Sequence, residues 1–503
     1  MSRAQRAYDV VIVGGGTAGS VLAARLSQDE DVHVLLLEAG AATLPDEVRD
    51  PPAWPSLAAT HASWGETTVV QRSRGTAVAL PRGRGLGGSS AIDAMVFARG
   101  HRSGYDAWSH GGAKGWGFDD LLPYFQRSET ALVRAPGRGT QGPLLVAPAA
   151  APNDVLLACL DGAVEAGHPR ARDISGGLEE GFAPVDLTIV DGRRQSAADA
   201  YLVPVLNRPN LHVVTEALAH RLLFDGSRCS GVEYGVDGRT ERADCAGEVV
   251  LAAGAVGSAH LLLRSGVGPP SDLRQAGVDV VHALPGVGRN LHDHPRAHLV
   301  YHAQREVPAA RYNHGEVMGL LRSTPEADGP DVQIVFADFA VPNPAGPVDN
   351  GFTMAITPIR PVSRGTVRLT SADPRTPPLV DPNYFAEEQD VRTALCGLTA
   401  ARRIAWSSAL AEWGIEEVSP GLGAVDEESI GAFARREFSA CCQPMGTCAM
   451  GEEEMSVVDS ELRVRGLDGL RVADASVIPS VPCGSPAATV YAVAERAADL
   501  LRP

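Results

Sequence analysis

Apolar positions follow two rhythms along this 503-residue chain. Near the start, Val10 to Val13 form an unbroken apolar run, as a strand buried on both faces requires. Gly14, Gly16 and Gly19 follow as GxGxxG, and Val21, Leu22, Ala24 and Leu26 then recur at helical spacing. A second apolar run, Val32 to Leu37, ends at Glu38. This predicts a strand–turn–helix–strand unit in which glycine amides approach a pyrophosphate at a helix N-terminus. Glu38 lies nineteen residues after Gly19, where an acid can bond a ribose hydroxyl. The unit suits nicotinamide and flavin dinucleotides alike. Further along, "PDVQIVFADFAV" and "GTVRLTS" alternate like half-buried strands. Segments 305–311 and 341–350 are rich in Pro and Gly and predict loops, and 486–501 predicts a helix packed on the core.

Length and composition narrow the class. The chain is too long for one core and predicts two domains or a two-lobed unit. Lys plus Arg number 44 and Asp plus Glu 61, so the net charge is −17, which argues against nucleic acid or an anionic membrane as partner. No run of about 18 apolar residues predicts a membrane span. The first strand begins close to Met1 with no cleavage site between, so an unexported, cytoplasmic protein is expected. Eight cysteines without framework spacing read as reduced thiols.

A second motif, "LPRGRGLGGSSAIDAMVFARG" at 80–100, crowds small residues beside Arg82 and Arg84 and predicts a phosphate-contacting loop leading into a buried helix start. Here the sequence resembles the glucose–methanol–choline (GMC) oxidoreductase family, which binds FAD. Segments 254–269, 284–295, 364–384, 441–451 and 470–501 are similar to later family segments, in family order. The resemblance implies an α/β fold: a discontinuous Rossmann-like FAD-binding lobe (1–155, 190–300 and 440–503) with an inserted substrate lobe on an antiparallel sheet (156–189 and 301–439). It implies FAD contacts at Gly14, Gly16, Thr17, Ala18, Gly19, Glu38, Ala39, Arg82, Gly87, Gly88, Ser89, Ser90, Asp93, Ala94, Met95, Val96, Ala219, Asp474, Ala475, Ala488 and Thr489. Asp93-Ala94 stands where the family usually has Asn-Gly.

The family's catalytic histidine and its partner, an Asn or His, align with Gln443 and Ala487. No histidine follows His314 and no asparagine follows Asn383, so the C-terminal third supplies neither side chain in any register. Gln443 is a neutral donor and acceptor that takes no proton near neutral pH. With Cys442 and Cys483 flanking these positions, an apolar wall is expected. Asp93, Tyr312, His314 and Asp338 are ionisable residues that could reach the site, although a structural role is the ordinary one for each. Cys442 or Cys483 could act as nucleophile or hydrogen donor, although a buried inert thiol is commoner. His292 and His294 in "HDH" have metal-compatible spacing, but the segment reads as lobe closure and no metal is expected.

The expected function is FAD-dependent removal of a hydride from a small, alcohol-type molecule, with non-standard proton handling and with oxygen or an unknown carrier as electron acceptor. A redox-neutral flavoenzyme of lyase or decarboxylase type, and a catalytically silent FAD-binding protein, remain open on the residues alone.

Overall fold

The computed structural model describes residues 8–421 and 423–502. The first strand, Tyr8–Val13, lies between Val34–Leu37 and Arg239–Leu251 with all three parallel, Val11 facing Leu35 on one side and Val249 on the other. Leu211–Val214 extends this sheet beyond Val34–Leu37, and Leu470–Val472 closes it against Val249 to Leu251. Strands from the start, middle and end of the chain thus build one Rossmann-like sheet, as the resemblance implied. The thirteen-residue strand Arg239–Leu251 serves an antiparallel and a parallel sheet in turn. Its first half pairs antiparallel in a meander with Arg228–Val236 and Leu218–Asp225; its second half carries the parallel contacts.

The helix Thr17–Leu26 was expected to be amphipathic. In the structure it is buried nearly all round, Ala18 to Ala24 and Leu26 included. Its outer face is covered by the C-terminal helix Pro486–Leu500, and Arg25 pairs with the fully buried Glu495 of that helix at 2.8 Å.

The second lobe is an antiparallel sheet in the order Ile415–Ser419, Pro295–Ala303, Gly351–Pro358, Val332–Ala337, Val317–Leu321, Gly181–Pro184, with Phe438–Ala440 also pairing the start of Pro295–Ala303. The helices Asp154–Glu165 and Glu388–Ala405 cover one face, over a core that includes Val332, Ile334, Phe336, Met354 and Ile356. The strand Pro295–Ala303 runs across the boundary expected at 300, because "HDHP" leads straight into it. The expected loops at 305–311 and 341–350 carry no regular element.

A four-stranded patch, Val96–Phe97, Asp186–Leu187, Leu144–Pro148 and Glu129–Ala131, continues the second motif. It is fixed by a buried ionic cluster. Glu129 accepts from Arg99 Nη2 at 2.6 Å, Arg138 Nε at 2.8 Å and the Gly139 amide at 2.9 Å, while Arg138 also reaches Asp173 and Asp186. Removing one charge from such a cluster strands the others, at a cost of about 3–5 kcal/mol. Glu129→Gln is therefore expected to lower the thermal unfolding midpoint and to loosen residues 96–100; an unchanged melting curve would contradict this account of the cluster.

Candidate active site

The two glycine motifs meet. Gly87 donates its amide to the Gly15 carbonyl at 2.9 Å, and a Cβ on Gly88 would lie 2.6 Å from Gly16 Cα. Gly87 and Gly88 hold φ of +94° and +54°, which side-chain-bearing residues adopt only with strain. A Cβ on Gly19 would lie 1.8 Å from the Gly14 carbonyl oxygen, so helix and turn touch backbone to backbone. The helix Thr17–Leu26 starts with no side-chain cap, leaving its first amides for an anion.

Glu38 accepts from the amides of Gly15, Gly40 and Gly85 at 2.7–3.0 Å. A carboxylate has roughly four lone-pair positions, so this one keeps capacity for a ribose hydroxyl. Ala39 lies beside it, its carbonyl near Arg84 Nη2. This backbone cradle fits the dinucleotide.

Other expected contacts are engaged differently. Arg82 forms an ion pair with Glu66, and both Arg82 and Arg84 lie over the Trp64 ring. The Ser90 hydroxyl donates to the Gly87 carbonyl and accepts from the Ala197 amide, while Ser89 Oγ accepts from Gly83. Asp93 pairs with Arg194 at 2.8 Å and accepts from the Met95 amide; Met95 is left-handed at φ +57° and its carbonyl takes the Thr188 amide. The pairing makes Asp93 a clamp on the 93–96 segment rather than a free base. The Ala94 carbonyl is held by the buried Asn313.

Asp474 spends its carboxylate on Gly254, Ser258 and Ser476, so its side chain joins two helix starts and only its backbone and that of Ala475 remain for a cofactor. Ala219 is buried in the meander, its carbonyl accepting from Arg264. Ala488 and Thr489 lie in the first turn of Pro486–Leu500, a helix start without a side-chain cap, and the Thr489 hydroxyl meets Tyr105 at 2.8 Å.

The 441–451 segment holds the main departure from expectation. It runs antiparallel to residues 292–297: Arg296 faces Ser439, the Cys441 amide donates to the His294 carbonyl at 2.9 Å, and His292 and Met445 exchange both backbone bonds. This register brings a histidine to Gln443 from 149 positions upstream. His294 Nδ1 lies 3.0 Å from Gln443 Oε1, and Gln443 Nε2 donates to Ser485 Oγ at 3.1 Å. The Gln443 amide is held by Asp293 Oδ1 at 2.8 Å, and Asp293 Oδ2 accepts from Tyr384 at 2.5 Å. The wall is thus more polar than an isolated Gln443 beside Ala487 would make it. The polar neighbour here is Ser485, two residues before Ala487.

Burial pushes the His294 imidazole down to about 4, so the ring is neutral near pH 7. Its Nδ1 meets the Gln443 carboxamide in a bond whose direction is set by the ring tautomer, and Nε2 lies toward the Ile359 carbonyl. His292 points elsewhere, Nδ1 toward the Asn290 carbonyl at 2.8 Å. Among the described residues no group of three or more His, Cys, Asp or Glu is placed to hold a metal ion.

All eight cysteines are free thiols. Cys442 and Cys483 both have left-handed backbones, φ +59° and +54°. Burial raises both thiols above their ordinary value, so neither offers a thiolate, which removes the physical basis for a nucleophile there. Cys442 Sγ turns back to the Ala440 carbonyl. His314 and Asp338 bond each other at 2.6 Å, at the end of Val332–Ala337 away from His294, while Tyr312 lines a separate cavity of about 130 Å³ with Glu316.

Known proteins share this plan. The GMC oxidoreductase family models match residues 8–296 and 361–494. An oxygen-dependent choline dehydrogenase of Serratia proteamaculans (strain 568) is 38% identical over 98% of this chain and 96% of its own. The human mitochondrial choline dehydrogenase is 36% identical over 100% and 91%. The crystal structure of pyridoxine 4-oxidase from Mesorbium loti superposes with a TM-score of 0.93, at 34% identity and 98% coverage of both chains. The chain belongs to the GMC oxidoreductase family, and it is an FAD-dependent oxidoreductase.

Gly88→Ala tests the cradle. A left-handed residue with a Cβ costs about 1–2 kcal/mol before the Gly16 clash is added, so FAD affinity is expected to fall at least about tenfold. The ratio of flavin to protein absorbance after gel filtration measures it, and full FAD retention would contradict the packing described.

Proposed function

We propose that the protein oxidises a small hydroxylated molecule at its carbinol carbon, without a titrating base in the wall around Gln443. FAD, when bound, accepts the hydride. The chain's own groups handle the oxygen. The observation that carries this reading is the hydrogen-bonded sequence His294–Gln443–Ser485. The His294 ring and the Ser485 hydroxyl hold the two polar atoms of the Gln443 carboxamide. One Nε2 hydrogen of Gln443 then remains for a substrate oxygen, and the Ser485 hydroxyl keeps a donor and a lone pair. These groups orient an alcohol but cannot store its proton, which leaves to water as the carbonyl forms.

The absence of a base matters in rate, because general base catalysis contributes about 10²–10⁴. A wall of this kind therefore favours substrates whose C–H bond or hydroxyl is already activated. Dioxygen or another carrier takes the electrons onward. Among the described residues no helix is long and apolar enough to cross a membrane, and a cytoplasmic site of action fits the composition.

Anaerobic titration of the FAD-bound protein with primary, secondary and aromatic alcohols tests the reading. Bleaching of the visible flavin band by one of them is expected; no bleaching across the panel, with FAD retained, would overturn it in favour of redox-neutral chemistry. With a bleaching alcohol in hand, Gln443→Ala is expected to slow flavin reduction by no more than about tenfold, because an orienting donor is lost and a base is not. A loss above about a thousandfold would make Gln443 essential in a way this geometry does not explain. Since His294 gains its proton only near pH 4, the reduction rate is expected to stay level from about pH 5.5 to 8. A step in that window would reveal a base elsewhere.

A further inference from the structure

The face of the substrate-lobe sheet opposite its helices holds a half-buried guanidinium with no directly paired carboxylate. Arg296 follows His294 by two residues on the extended segment that enters Pro295–Ala303, so the two side chains share a side, about 7 Å apart along the chain. Across the ladder Arg296 faces Ser439, and its guanidinium touches the Cys441 thiol. Among the described residues it makes no ion pair within 4 Å and no hydrogen bond to a protein oxygen, and its Nε is buried without a partner.

Asp293 feels the charge of Arg296, but both of its oxygens are bonded elsewhere, to Gln443 and Tyr384, and it makes no direct ion pair with the guanidinium. Arg74 adds a second positive charge, but it is committed to the Phe438 carbonyl and ring. Arg360 is paired with Asp328. Burial, with a smaller contribution from Arg296, lowers His294 to about 4 and His298 to about 3, so the neighbouring rings add no charge of their own near pH 7. A half-buried guanidinium without an acceptor is costly, and its planar fork matches a carboxylate.

We propose that Arg296 binds the carboxylate of the substrate, so that the hydroxylated molecule oxidised here is a hydroxy acid, its carboxylate on Arg296 and its carbinol beside Gln443 and Ser485. This rests on the alcohol-oxidising reading and names its substrate class. The carbinol carbon loses a hydride to FAD and the hydroxyl loses its proton to water, giving an oxo acid with the carboxylate unchanged. A carboxylate so held also leaves the missing base uncompensated by any second charge, so the acid is bound for orientation rather than for proton transfer.

The probes are glycolate, 3-hydroxypropanoate and 4-(hydroxymethyl)benzoate, each beside its neutral primary amide, measured by calorimetry on the FAD-bound protein. At least one acid is expected to bind the wild type more tightly than its amide. Arg296→Gln should weaken that acid about tenfold or more and leave the amide within about twofold, while Arg296→Lys should restore part of the difference. In the wild type, the acid's affinity should fall with added salt and the amide's should not. The proposal is overturned if no acid binds the wild type in preference to its amide. Equal weakening of acid and amide by Arg296→Gln, with FAD retained, would also overturn it. Should the Gln variant fail to fold, the salt series and the Lys variant decide. Binding is read here without turnover, so a protein that binds the acid but is bleached by no alcohol would fail as an oxidase while keeping this site.

Discussion

The carboxylate of Asp293 is where three distant stretches of chain meet. Its two oxygens hold the Gln443 amide and the Tyr384 hydroxyl, and the residue is nearly inaccessible to solvent. Through that junction the strand entering the substrate lobe, the end of the 364–384 segment and the wall of the active site become one unit. The register around it does the rest. Once residues 292–297 lie antiparallel to 438–445, His294 must reach Gln443, and Arg296 must stand beside Ser439 and Cys441. The site's chemistry is therefore set by a backbone ladder between the lobes as much as by the identity of any one side chain.

The parts of this protein legible in its sequence are those specified locally. GxGxxG places its glycines within six residues, so their conformational demand and their contact with the following strand can be read from spacing alone. The same holds for Glu38 and for the apolar runs of the parallel sheet. The His294–Gln443 contact joins residues 149 positions apart, and no periodicity announces it. The inventory of the last third was sound: it contains no histidine. It did not reach the wall's true composition, because the ring arrives from the "HDH" segment. Alternation within that segment was the available signal. Two residues apart on an extended chain share a side, so His294 and Arg296 form one pair, and only pairing with 438–445 says what that pair faces. In the same way, nothing in residues 80–90 shows that Arg82 pairs with Glu66 and lies over Trp64.

A buried histidine and a buried carboxamide satisfy each other without charge. Neutral His294 has one N–H and one ring lone pair, and the Gln443 carboxamide, with a donor and an acceptor, can meet it through Nδ1. The cost of burying both is met by that bond and by Ser485 beyond it. The flanking thiols stay protonated for the same reason that His294 stays neutral: low local polarity disfavours every charged form. In such surroundings the guanidinium of Arg296 is the exception, because an arginine does not discharge by losing its proton.

That contrast orders the site. A wall that keeps its histidine, thiols and carboxamide uncharged near pH 7 offers only weak bases there, yet it retains a permanent cation one step along the same strand. Permanent charge holds and orients; it does not exchange protons. The wall is therefore built for placement, with Gln443 and Ser485 fixing an oxygen and Arg296 offering a second point of attachment a few bonds away. Two fixed points determine the direction of a short substrate where one would leave it free to rotate, and orientation alone can supply several kcal/mol toward a transition state. A site arranged in this way can give up its base and remain a catalyst, provided the substrate brings a group for the second point to grip.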